Sequence, residues 1–81
     1  MGPELMFTAK KASYEKGMIG IMLADKKEIC FPITLNEKLR NASQLQVSNI
    51  KIICSGTGLH WPELDEDLSV TGILEGKYGK I

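Results

Sequence analysis

The sequence predicts an α+β fold: a small antiparallel β-meander with one or two short helices packed on it and a short C-terminal helix. Three observations predict it. The first third of the chain alternates apolar runs with turn residues, as consecutive antiparallel strands do. The middle turns to helix formers with apolar residues at helical spacing. A β-branched run, Ile50-Lys51-Ile52-Ile53-Cys54, then restores strand character between Asn49 and the glycine-rich Ser55-Gly56-Thr57-Gly58.

Taken in order, Leu5 to Tyr14 holds β-formers in rough alternation and ends at Glu15-Lys16-Gly17, where Gly17 offers the positive φ of a tight turn. Met18 to Leu23 is a dense apolar strand, Asp25-Lys26-Lys27 breaks it, and Glu28 to Phe31 resumes until Pro32. Three such strands need a covering element on their apolar face. Leu35 through Leu39 to Ala42 supplies it with Glu37, Lys38 and Arg40 as helix formers among apolar residues at helical spacing, and Leu45 lies just beyond. Ser43 is placed to cap a second short helix running to Val47. After the Ile50 to Cys54 strand and a turn comes Leu59-His60-Trp61, stopped by Pro62. Glu63 to Asp67 is expected as an exposed connection with Leu64 pinned inward. Ser69 then caps a helix from Val70 to Glu75, which Gly76 terminates.

A chain of 81 residues closes one core, so a single domain over residues 1–81 is expected. Its 43% hydrophobic and 25% charged residues are ordinary globular usage. Ten basic and ten acidic residues cancel, which removes the net field that draws proteins to nucleic acid or anionic lipid. The balance is local rather than uniform: residues 1–60 carry +3 and residues 61–81 carry −3. A partner of the tail is therefore expected to present a basic surface. No run of 18 apolar residues occurs and the start lacks a signal core, so neither a membrane span nor export is expected. Cys30 and Cys54 each sit in an apolar run, and are expected reduced and at least partly buried, in the cytoplasm.

Candidate chemistry is sparse. His60 with Glu63, Asp65 and Asp67 offers metal-ligand types, but the calcium-loop pattern lacks its Gly and distal Glu, and zinc needs three or four converging His or Cys ligands. No metal or cofactor is expected. Ser55-Gly56-Thr57-Gly58 precedes a strand rather than a helix N-terminus, and so reads as a turn and not a phosphate cradle. His60 has no orienting group or paired nucleophile in any recognisable spacing, so no catalytic residue is assigned.

The segment from Gly58 to Val70, Gly-Leu-His-Trp-Pro-Glu-Leu-Asp-Glu-Asp-Leu-Ser-Val, with Gly72-Ile73-Leu74, resembles the C-terminal signature of the bacterial domain of unknown function 2442 family (DUF2442). The strands, the Phe31-Pro32 stop and the Leu35 to Leu45 helical region fit the same pattern. The resemblance implies a compact α+β domain without an established activity or catalytic residues. Some family members resemble antitoxin-like partners of another small bacterial protein. The expected function is accordingly a non-enzymatic interaction or regulatory module. His60, Trp61, Glu63 and Glu66 are assigned to partner contact, and Leu64, Asp65, Asp67 and Ser69 to the fold, with Asp65 and Asp67 as carboxylates at the positive end of the terminal helix. Trp61, Leu64, Leu68, Val70, Ile73 and Leu74 all suit a core at strand or helix spacing, and Trp61 can anchor either the core or an interface. Exposed sheet edges make a homodimer a further expectation. Two alternatives carry their own discriminators: a small-molecule-binding or enzymatic domain is favoured by a deep pocket with converging polar groups near His60, and a DNA-associated regulator is favoured only if Lys10, Lys11, Lys26 and Lys27 gather on one face.

Overall fold

In a computed structural model that describes residues 8–79, two three-stranded antiparallel meanders flank a helical segment. The first sheet, in the order β1-β2-β3, comprises β1 (Ala9–Glu15), β2 (Met18–Leu23) and β3 (Glu28–Pro32). A 3-10 turn (Ile33–Leu35), α1 (Glu37–Arg40) and α2 (Gln44–Ser48) lead to the second sheet. There β4 (Lys51–Ile53), β5 (Gly58–Trp61) and β6 (Glu66–Ser69) lie side by side in sequence order, and α3 (Val70–Leu74) follows. The expected α+β class holds. No helix among the described residues is long and apolar enough to cross a membrane.

Local chemistry explains most of these boundaries. The β1–β2 turn is two residues long, with Lys16 and Gly17 both at positive φ, the geometry that matches the twist of a hairpin. Ser43 caps α2 through a full capping box with Gln46. Ser69 Oγ accepts from Gly72 N at 2.9 Å to start α3, and Gly76 at φ 83° leads the chain away from its end. One core unites both sheets: Ile19, Ile21, Leu23 and Phe31 from the first, Leu39 and Val47 from the helices, and Leu59, Trp61, Leu68, Val70 and Ile73 from the second. In the central strand β2 the alternation is strict, with Ile19, Ile21 and Leu23 inward and Met18, Gly20 and Met22 outward.

Two expectations are corrected, and part of a third falls outside the described residues. Leu5, Met6 and Phe7 of the predicted first strand lie outside the described residues, and β1 itself runs on to Glu15. The acidic connection is shorter than expected, because Glu66 and Asp67 belong to β6, opposite Trp61 and His60. Asp65 at φ 52° reverses the chain, and period-two alternation sends Leu68 into the core while Asp67 faces solvent, so two charges do not prevent the strand. Both cysteines are free but exposed. Cys30 lies opposite Gly20, one residue out of phase with the buried Phe31, and Cys54 leaves β4 at φ 55°. In α2, Leu45 is 83% exposed and Val47 is the buried residue.

Candidate functional site

The β5–β6 hairpin carries the residues singled out in the sequence and sorts them by face. His60 points outward in a row that crosses the second sheet from Lys51 through His60 to Asp67. His60 Nδ1 and Asp67 Oδ1 are in direct contact, a pair exposed enough for solvent to screen it. Trp61 points the other way. It is 0% exposed, and its indole Nε1 donates to the Val47 carbonyl at 2.9 Å, which fixes α2 against the second sheet. Glu63, exposed in the turn after β5, accepts from Asn49 Nδ2 at 3.0 Å, so the residue just after α2 is held as well. Leu64 is half-buried and packs on the core, as expected.

Glu66 is the carboxylate most deeply used by the fold. Its side chain is only 16% exposed; Oε2 accepts from Asn36 Nδ2 at 2.7 Å and Oε1 lies 3.7 Å from Lys38 Nζ. Lys38 Nζ also donates to the Asp65 carbonyl at 2.9 Å. Among the acidic residues of this hairpin it is the Glu66 side chain, rather than that of Asp65 or Asp67, that joins β6 to the helical segment. Glu66 is tied into the fold, Asp67 faces solvent beside His60, and neither Asp65 nor Asp67 caps α3, whose cap is Ser69.

The residue that organises this region is Asn36, which is fully buried. Its Oδ1 accepts from Leu39 N at 3.0 Å to cap α1, while Nδ2 donates to Glu66 and, at 2.6 Å, to the Tyr78 carbonyl. Tyr78 in turn stacks on Phe31 of β3, ring centroids 4.8 Å apart. One amide thus joins the helical segment, β6 and the C-terminal residues. An Asn before helix formers signals a cap, but nothing local in the sequence announces the two distant acceptors.

Two of the open depressions that the described residues form lie at different elements. One, of about 310 Å³, lies between α1 and β6 and is lined by Asn36, Glu37, Lys38, Glu66, Asp67 and Gly79. Asn36, Lys38 and Glu66 are bonded to one another there, Asp67 is paired with His60, and the depression forms a joint between elements. The other, of about 340 Å³, lies on the outer face of the first sheet. Among the described residues no three His, Cys, Asp or Glu side chains group as a metal site needs.

Two linked three-stranded meanders, with a cap residue locking the helices to the second sheet, define a small α+β protein whose signature residues are largely architectural. The chain belongs to the DUF2442 family, described as "Protein of unknown function", whose sequence model matches residues 9–79. It is similar to a protein of unknown function from Rhodospirillum rubrum, seen in a crystal structure, with 35% identity, 90% of each chain covered and a TM-score of 0.83. It is also similar to an uncharacterized protein from Chromobacterium violaceum, seen in a solution structure, with 32% identity, 90% of this chain and 69% of that chain covered, and a TM-score of 0.78. No curated protein matches the chain.

Proposed function

We propose that the protein is a non-enzymatic interaction module, a cytoplasmic regulatory partner of another small bacterial protein that acts in an antitoxin-like way by occupying its partner's surface. The observation that carries this reading is Leu45, 83% exposed on a helix held at both ends. The Ser43–Gln46 capping box fixes the start of α2, and Trp61 and Glu63 bind Val47 and Asn49 at its end. Single exposed leucines are ordinary. One displayed on so constrained a helix is preorganised, since little freedom remains to be lost on docking. Glu63, at the far end of the same helix, gives the surface a negative edge, which suits a partner with an apolar pocket and a basic rim. Trp61 and Glu66 serve this role from beneath, by setting α2 and α1 in place. The exposed free thiols of Cys30 and Cys54 suit a reducing compartment.

The test is capture of the co-purifying protein by tagged wild type and by Leu45→Arg and Glu63→Gln variants with matched melting temperatures. Wild type should retain one protein stoichiometrically, Leu45→Arg should lose it, and Glu63→Gln should slow its association most at low salt. A folded Leu45→Arg variant that retains the same protein equally well overturns the reading.

A further inference from the structure

The outer face of the first sheet carries a second surface, independent of Leu45. Its outward residues form three rows across β1, β2 and β3: Lys11, Met22 and Glu28; Ser13, Gly20 and Cys30; Glu15, Met18 and Pro32. A solvated face of an antiparallel sheet ordinarily reads as polar, whereas here the central strand presents two methionines on either side of a glycine. Gly20 leaves the middle row low: a Cβ placed there meets only Ser13 Oγ, at 3.9 Å. The depression above it, about 340 Å³, is walled by Lys11, Met22, Glu28 and Cys30. Lys11 and Glu28 stand at opposite ends of one row, on the two outer strands. Among the described residues neither has an ion-pair partner.

We propose that this face is the contact surface of a homodimer, formed with a second copy turned about a two-fold axis parallel to β2. Such an axis carries β1 of each copy over β3 of the other. Lys11 then faces Glu28 of the second copy, and the same pair repeats on the other side of the axis, as an isologous contact requires. Met22 lies over its own equivalent near the axis, and the flexible thioethers fill the depressions above Gly20. Aligned sheets pack about 10 Å apart, a gap that Lys and Glu side chains bridge when they extend from opposite sides. A uniformly acidic or basic partner fits less well, because one flank of the row would meet a like charge. The face spans only three strands of 7, 6 and 5 residues. At a strand spacing of about 4.8 Å and a rise of about 3.3 Å per residue its footprint is a few hundred Å². That is less than a standard interface covers, so the dimer is weak and forms at high protein concentration.

Sedimentation velocity over a concentration series, on wild type, Lys11→Glu, Glu28→Lys and an equimolar mixture of the two variants, tests this. Lys11→Glu makes the row acidic at both ends and Glu28→Lys makes it basic, so each alone should dimerise about tenfold more weakly than wild type. The mixture should recover dimers, as heterodimers in which the swapped charges again oppose. Both positions are exposed, so the variants should melt with wild type. A wild type that stays monomeric throughout, single variants that dimerise as wild type does, or a mixture that does not recover dimers would each overturn the proposal.

Discussion

Replacing Asn36 should unsettle this protein more than any other single polar change, and the reason separates a cap from a joint. Asn36→Ala removes the α1 cap, worth about 1 kcal/mol. It also strips the donor from Glu66 Oε2, a bond to a carboxylate worth about 1.5–3 kcal/mol, and from the Tyr78 carbonyl, worth about 1 kcal/mol. Because Asn36 is fully buried and Glu66 only 16% exposed, water replaces these partners poorly. With allowance for coupling between contacts that share one side chain, the loss is about 3–5 kcal/mol. In a domain whose total stability is about 5–15 kcal/mol, that lowers the melting temperature by roughly 15–30 °C. Asn36→Asp is the decisive comparison. It keeps the Oδ1 acceptor, and Asp caps helices as well as Asn does, but it sets a second carboxylate against Glu66. Urea unfolding followed by the fluorescence of Trp61, the chain's one tryptophan, gives both values. An Asn36→Asp variant within about 0.5 kcal/mol of wild type would show that the site is an ordinary cap and refute the joint.

Three further outcomes follow from the same geometry. Trp61→Phe keeps an aromatic ring but leaves the Val47 carbonyl without its donor, and should cost about 2–4 kcal/mol by thermal denaturation followed by circular dichroism. Gly56→Ala and Gly76→Ala both place a side chain at positive φ, yet a Cβ at Gly56 meets Thr8 Cβ at 2.9 Å and the Ala9 carbonyl at 3.0 Å while one at Gly76 meets nothing within 4 Å. Gly76→Ala should therefore cost about 1–2 kcal/mol and Gly56→Ala at least about 1 kcal/mol more, by the same method. Native thiol titration should find both Cys30 and Cys54 reacting promptly; slow reaction of either would contradict its exposure.

The features legible in the sequence are those set by local chemistry. Gly17 announced a hairpin, Ser43 and Ser69 announced helix starts, and the β-branched run from Ile50 announced β4, because each signal acts within a few residues of itself. The misreadings share a different cause. Cys30 shares an apolar run with Phe31, but in a strand adjacent residues face opposite sides, so burying Phe31 exposes Cys30. Glu66-Asp67 reads as connection because it continues the acidic run that follows Pro62; the strand forms because one carboxylate faces solvent and the other finds Asn36. That partner lies 30 residues away and Tyr78 lies 42 away, so no local pattern reports them. In the second helix Val47, whose carbonyl accepts from the Trp61 indole, is the residue on the core, and Leu45 is left exposed. The C-terminal signature was visible as a family mark. That Trp61 and Glu63 of this signature hold α2, and Glu66 the start of α1, emerges only from the contacts.

Amide hydrogen exchange of the protein with and without the partner proposed for it tests the account most directly. Ser43 to Asn49 and the turn at Glu63 should gain protection on binding, while the outer face of β5 and β6, including His60 and Asp67, exchanges as in the free protein. Protection centred on His60 and Asp67, with α2 unchanged, would contradict the account.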